Sequence, residues 1–82
     1  MYVHIGGECT ITDQSILGIF DFDALTEMAE ETTLQFLNSA EIEGRLESLP
    51  GSLPLSVVLT LNKVYLSPLS PDVLQHRLLK KG

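Results

Sequence analysis

The chain of 82 residues contains one cysteine, five basic residues and no long run of apolar residues. The single cysteine, Cys9, cannot form an intrachain disulfide. A membrane-spanning helix needs about 20 consecutive apolar residues, and no stretch approaches that length. The first residues, MYVHIGGE, lack the basic and then apolar pattern of a signal peptide. These absences predict a cytoplasmic protein that does not enter a membrane.

The spacings that usually mark a metal or cofactor site are also missing. The two histidines, His4 and His76, do not form a pair four residues apart on a helix, and there is no CxxC motif. The glycines at positions 6 and 7 lack the spacing and the following helix of a phosphate-binding loop. His4 is interpreted as a structural or surface residue and Cys9 as a buried thiol. No metal, cofactor or small-molecule substrate is therefore predicted.

Two pairs of carboxylates are the remaining candidates for acid–base chemistry or for cation binding, Asp21 with Asp23 and Glu30 with Glu31. Neighbouring residues on a helix do not face each other, so the glutamates do not form a site. The aspartates are interpreted as solvated groups at the end of a strand. The sequence therefore predicts that the protein is not an enzyme.

Charge is unevenly distributed along the chain, which has a net charge of −6. Residues 1–62 carry one arginine against ten carboxylates, a sum of −9, whereas residues 63–82 sum to +3. An acidic total opposes non-specific binding to nucleic acid, because such binding depends on neutralising phosphates. The basic C-terminal part is the one place where such binding is expected.

The length indicates one domain, residues 1–82. A chain this short buries only about 60% of the surface that its unfolded form exposes. Yet 44% of its residues are hydrophobic. One subunit cannot bury all of this apolar surface, so a homo-oligomer is predicted.

A β-hairpin is predicted over residues 55–67, with its turn at Asn62 and Lys63. That register pairs Leu61 with Val64, Thr60 with Tyr65 and Leu59 with Leu66. Residues opposite each other share a face of the sheet. Six apolar residues are therefore expected on the core side: Leu55, Val57, Leu59, Leu61, Val64 and Leu66.

A short helix is predicted directly after this hairpin. Ser70 is placed as its N-cap and Pro71 at its first position, where no amide hydrogen is needed. Its basic groups share an arc of about 140° when successive residues are placed 100° apart. These are His76, Arg77, Lys80 and Lys81. Such an arc can follow a phosphate backbone, although cations in a last helical turn also simply complement the helix dipole.

The first half of the chain predicts three strands and one longer helix. The strands are expected at residues 2–5, 9–12 and 15–22, and the third is apolar on both faces, which is typical of a central strand or of one that meets another subunit. Residues 24–43 have a helical period, with Asp23 or Thr26 as the cap and Gly44 as the stop. Residues 46–48 are interpreted as an edge strand. The predicted class is α+β, a small antiparallel sheet with one longer helix and a short C-terminal helix.

The two sides of the longer helix are predicted to differ in exposure. The core-facing group is Leu25, Met28, Ala29, Thr32 and Phe36. Leu34 lies on the opposite side of the helix and is expected to be exposed.

Three segments, MYVHIGG, SILGIFDFD and VYLSPLSP before a short helix, resemble the extracellular-matrix regulatory protein family of Firmicutes, on its RemB side. The resemblance covers nearly the whole chain. For the RemA side of the family it implies ring-shaped oligomers that bind DNA and activate biofilm matrix genes, with arginines in the loop before the hairpin. Here that loop, Gly51 to Leu55, has no basic residue, which counts against DNA binding by the same surface.

The resemblance implies a ring-forming homo-oligomer that regulates matrix gene expression. The candidate DNA contacts are Lys63, Arg77, Lys80 and Lys81. The alternative is an acidic oligomeric adaptor that binds a protein partner and not DNA.

Overall fold

The computed structural model of the chain describes residues 1–27 and 31–79. The strands are β1 (Tyr2–Gly6), β2 (Cys9–Thr12), β3 (Ile16–Asp21), β4 (Leu46–Ser48), β5 (Ser56–Thr60) and β6 (Val64–Ser67). The helices are α1 (Phe22–Glu27), α2 (Glu31–Ile42) and α3 (Pro71–Leu79), and a 3-10 turn covers Asp13–Ser15. The predicted α+β class is confirmed.

The strands form two sheets. β1 and β2 pair as an antiparallel ribbon, and the other four strands form a sheet in the order β3-β5-β6-β4. All pairs are antiparallel except β4 with β6, which is parallel. The third predicted strand is therefore an edge strand of the larger sheet and not a central one.

The larger sheet has apolar layers on both sides. The β1–β2 ribbon is a second hairpin. We call the side of the larger sheet that packs against this ribbon and α3 the hairpin face; its buried residues cluster with Val58 and Tyr65. We call the side that packs against α1 and α2 the helix face; its buried residues are Ala40, Val57 and Val64. The prediction placed a core on one side of the hairpin only, and the structure places one on each side.

The predicted hairpin turn is wrong by one residue. β5 pairs Leu59 with Val64, so the turn consists of Leu61 and Asn62. Thr60 closes it, because its hydroxyl donates to the Lys63 carbonyl (2.7 Å) and accepts from the Lys63 amide (2.9 Å). The pairing register is displaced by two residues, because Leu59 pairs with Val64 and not with Leu66, so the two sets of faces are unchanged. Two of the six residues predicted on the core side are exposed, however: Leu61 in the turn and Leu55 before β5.

The predicted helix over residues 24–43 corresponds to α1 and α2. Neither Asp23 nor Thr26 caps its start: the Ala24 amide donates to the Asp21 carboxylate at 2.9 Å, so Asp21 is the cap. The Thr26 hydroxyl instead donates to the Phe22 carbonyl within α1 (2.9 Å). Asp21 thus has a structural partner and is not simply a solvated group.

The end of α2 follows the prediction. Gly44 has a φ of +76°, the left-handed conformation that glycine adopts without strain. The Arg45 amide donates to the Ala40 carbonyl (2.8 Å) and the Gly44 amide to the Glu41 carbonyl (3.1 Å), the bonding of a Schellman motif.

The predicted core group of the longer helix is only partly right. Leu25 packs on the helix face, but Phe36 is 43% exposed and Leu37 packs there with Ala40. Leu34 is exposed, as predicted. The positions of Met28 and Ala29 and the side chain of Thr32 lie outside the described residues.

The short C-terminal helix begins as predicted. The Val73 amide donates to the Ser70 hydroxyl (3.3 Å), and Pro71 is the first residue of α3. In the part of the chain that the structure describes, no helix has the length and apolar character needed to cross a membrane.

Candidate nucleic-acid interface

Arg77 projects from α3 onto β1. Its guanidinium donates to the His4 carbonyl (2.9 Å) and lies 2.8 Å from His4 Nδ1. An arginine has only donors, so Nδ1 must be the acceptor and the proton of the neutral ring must lie on Nε2. That nitrogen is 2.5 Å from the Gly7 carbonyl and donates to it. Arg77 therefore holds α3 against the β1–β2 ribbon, and His4 has the structural role that was predicted.

Lys63 follows the turn of the β5–β6 hairpin, and Thr60 precedes it. Its amine is 3.9 Å from a Glu47 carboxylate oxygen of β4, and both side chains are about half exposed. An exposed pair at this distance contributes about 0–1 kcal/mol and is screened by salt. The Lys63 side chain can therefore exchange this partner for another anion at little cost.

The two candidate cations within the described residues contact different elements. Lys63 contacts β4, and Arg77 contacts β1. His76 is exposed in the last turn of α3. Lys80 and Lys81 lie outside the described residues, so the predicted arc is described only for His76 and Arg77. The assignment of these residues as DNA contacts stays a prediction.

The loop from Gly51 to Leu55 packs near the start of α3. A Cβ atom at Gly51, whose φ is +133°, would lie 3.0 Å from the Pro68 ring. The Ser56 hydroxyl, just after this loop, donates to the Leu69 carbonyl (2.6 Å). Leu53 at its centre is exposed. The loop therefore packs against the residues that precede α3 and exposes an apolar side chain.

The thiol of Cys9 lies partly buried beside the hairpin-face core. Burial raises its pKa above the ordinary 9.0, and the nearby Glu47 carboxylate raises it further, whereas Lys63 lowers it. Burial and then the neighbouring Cys9 and Glu47 likewise raise the pKa of Tyr65 above 10.0. A thiol with a raised pKa is protonated at neutral pH and is a poor nucleophile.

A groove of about 150 Å³ opens on the helix face. Its six lining residues are all apolar: Phe20, Leu25, Phe36, Leu37, Val57 and Leu59. Such a lining offers no acid, base or nucleophile for catalysis. Among the described residues, no three His, Cys, Asp or Glu side chains come together as they would around a metal ion.

Sequence reasoning did not find the contact between His4 and Arg77, or the groove. The burial pattern of β1 alternates, with Val3 and Ile5 buried and His4 exposed, so strand alternation places His4 outward. No local signal could name its partner, because Arg77 is 73 positions away.

A comparison with protein-family models gave no match to this chain. A curated relative does match: Extracellular matrix regulatory protein B of Bacillus subtilis (strain 168) is 36% identical over 78 residues. The alignment covers 94% of this chain and 89% of the relative. The relative is named as a regulatory protein and not as an enzyme, which agrees with the prediction made from the missing catalytic motifs. Identity at this level over nearly the whole of both chains shows that the chain belongs to the extracellular matrix regulatory protein B family.

Proposed function

We propose that the chain regulates the expression of extracellular-matrix genes in the cytoplasm as a ring-forming homo-oligomer, with its basic C-terminal part as the DNA contact. The observation that carries the proposal is the 36% identity with a named matrix regulator over 94% of the chain. Self-association is supported by the apolar groove and by the exposed apolar side chains around it, which one subunit leaves in contact with water.

Lysines are the candidate contacts to test first. Lys63 is held only by an exposed ion pair, and Lys80 and Lys81 follow α3 in sequence. Arg77 is less suitable for a charge reversal, because Arg77→Glu would also break the hydrogen bonds to His4. A variant with Lys63, Lys80 and Lys81 all changed to glutamate changes charge without removing that contact.

The test is a gel-shift titration of duplex DNA at low salt. Each phosphate contact contributes about 0.9 to the slope of log K against log salt concentration. We expect the triple lysine variant to lose the shift, and single variants to reduce the slope by about one. Arg45→Glu is the matched control, because Arg45 is an exposed cation that pairs with Glu43 at the end of α2. Equal DNA binding by the triple variant and by Arg45→Glu would refute the assignment of the lysines.

The second candidate function is an acidic oligomeric adaptor that binds a protein partner and no DNA. It is favoured by the contact of Arg77, whose guanidinium is hydrogen-bonded to the His4 carbonyl. The sum of −9 over residues 1–62 would repel a DNA backbone. Filter binding at low salt separates the two functions, because an adaptor retains no duplex DNA at micromolar protein concentration.

The ring itself is tested by the mass of the native particle. A ring predicts one discrete mass that is a fixed multiple of the 9.0 kDa subunit and does not change with dilution. A population of single subunits at high concentration would contradict the ring and, with it, the proposed mode of action.

A further inference from the structure

The two edges of the larger sheet differ in how they are protected. β4 is three residues long and carries Glu47 at its centre. Short and charged edge strands resist pairing with another chain. β3 has six residues, no lysine, arginine or proline, and a single charge, Asp21, at its last position. A bulge near its start is its one protective feature.

Backbone groups of β3 are free at this edge. The Phe22 amide donates to the Leu55 carbonyl (2.9 Å), so alternate residues before it also point toward β5. The amide and carbonyl of Ile19 and the amide of Asp21 then point to the opposite side. In the sheet that the described residues form, no strand lies on that side of β3.

Apolar side chains line the same edge. Leu17, which has no partner residue on β5, is 61% exposed, and Phe20 is 44% exposed. The Phe20 ring lies over its own Gly18: a Cβ at Gly18 would come within 2.8 Å of the ring. The edge therefore combines unpaired backbone groups with exposed apolar surface that continues into the groove on the helix face.

We propose that this edge pairs with β3 of a second copy of the chain, antiparallel and with Ile19 opposite Ile19 of the second copy. The proposal takes self-association from the proposed function and adds the surface that forms the contact. It makes the two four-stranded sheets continuous around a two-fold axis, the commonest symmetry of homo-oligomers. A particle built on this contact contains an even number of subunits.

The charges of β3 do not oppose pairing with a second copy in this register. Asp21 of one copy lies opposite the apolar Leu17 of the other, and not opposite the second Asp21. The two Asp21 residues are offset along the strand by four positions, roughly 13 Å. That distance exceeds the Debye length of about 8 Å at physiological ionic strength, so repulsion between them is screened. In the same register, Phe20 lies opposite Gly18 of the second copy, so the Phe20 rings of both copies lie on one face of the joined sheet.

The register predicts opposite results for opposite charges at position 17. Leu17→Glu places a carboxylate opposite Asp21 twice per dimer, and we expect the dissociation constant, measured by analytical ultracentrifugation, to rise about tenfold. Leu17→Lys places an amine opposite Asp21, and we expect association to be retained. Ile42→Glu is the matched control, because Ile42 is 79% exposed at the end of α2, away from the edge. Asp21→Asn should restore association to the Leu17→Glu variant, because asparagine also caps a helix.

Three results would overturn the proposal while leaving the ring intact. The first is an equal effect of Leu17→Glu and Ile42→Glu, and the second is an equal loss of association with Leu17→Glu and Leu17→Lys. The third is an odd number of subunits by native mass spectrometry. Single subunits in the unsubstituted protein would overturn both this proposal and the ring.

Hydrogen exchange gives a readout that does not depend on a variant folding. The amides of Ile19 and Asp21 have no strand partner in the described subunit, so they exchange fast if the edge is open. We expect them to be protected at high protein concentration and to lose that protection on dilution. Rapid exchange at every concentration would overturn the proposal.

Discussion

The two faces of the larger sheet are covered to different extents. On the hairpin face, Ile5, Val58 and Leu74 are fully buried, and α3 is fastened to β1 by Arg77. On the helix face, Ala40 and Val57 are buried, but a groove remains between the sheet and the helices. One face is thus complete within the subunit, and the other exposes apolar surface. The difference predicts that stability comes mainly from the hairpin face, and the exposed apolar surface lies beside the β3 edge proposed for self-association.

Buried serines show the same contrast. Ser56 and Ser67 are both fully buried on the hairpin face. The Ser56 hydroxyl donates to the Leu69 carbonyl, and the Ser67 hydroxyl donates to the Ile5 carbonyl and accepts from the Leu69 amide. A buried hydroxyl is tolerated only when it is hydrogen-bonded, so these bonds require β1, β6 and the start of α3 to meet in one arrangement. No hydroxyl on the described helix face has a comparable role.

The largest effect is expected for Leu74 on the hairpin face, and Leu37 on the helix face provides the comparison. Leu74→Ala removes a side chain with no exposure and should lower the free energy of unfolding by about 3–4 kcal/mol. Leu37→Ala lies beside the open groove and should cost roughly 1 kcal/mol, because less surface leaves an apolar environment. Urea unfolding followed by circular dichroism measures both. Equal losses would contradict the contrast between the faces.

A smaller effect is expected at Ser67. Ser67→Ala leaves the Ile5 carbonyl and the Leu69 amide without this partner, at a cost of about 1–3 kcal/mol in the free energy of unfolding. Ser52→Ala, in the exposed loop before β5, is the control and should change stability by less than about 0.5 kcal/mol. The same urea titration applies. A Ser67→Ala variant as stable as Ser52→Ala would show that the buried network contributes nothing.

The entry to α1 should give an effect of about 1 kcal/mol. Asp21→Ala removes the acceptor for the Ala24 amide, whereas Asp21→Asn keeps an oxygen in place and should cost only a few tenths of a kcal/mol. Thermal unfolding of the two variants measures the difference. If both lose the same stability, the charge of Asp21 matters and the cap does not.

The smallest effect is expected in the alkaline pH dependence of stability. Cys9 and Tyr65 have pKa values raised in the folded state, mainly by burial. Both groups therefore lose their protons at lower pH in the unfolded chain than in the folded one. Their contribution is complete below the unfolded pKa values and decreases as pH rises above about 9. Cys9→Ala should therefore flatten the fall of the melting temperature as the pH rises above the ordinary thiol pKa of 9.0. An identical slope in this variant and in the unsubstituted protein would contradict the raised thiol pKa.

Predictions that depended on neighbouring residues in the sequence were mostly confirmed. The cap at Ser70 and Pro71, the stop at Gly44 and the short strand at residues 46–48 all follow from local backbone requirements. The two faces of the hairpin were also assigned correctly, because strand alternation depends only on parity. The turn was misplaced because the deciding bond, from Thr60 to Lys63, uses a side chain that turn statistics do not consider.

Predictions that needed a distant partner were the weaker ones. The edge position of β3 depends on its pairing with β5, some 40 positions later. The exposure of Phe36 depends on how α2 lies over the sheet, because Phe36 lines the groove that remains open between them. For the candidate interface, the charge distribution identified Arg77, but its contact with His4 was not foreseeable from either segment.

The sequence by itself determined the class of fold, the segments that become strands and helices, the surplus of apolar residues and the basic end of the chain. These follow from composition and from periods of two or 3.6 residues, which each segment carries alone. Only the tertiary structure decided which strand edge stays open, which face of the sheet is completed and which cations are already bound. Those outcomes depend on which distant segments pack together, and a pattern within one segment does not contain that information.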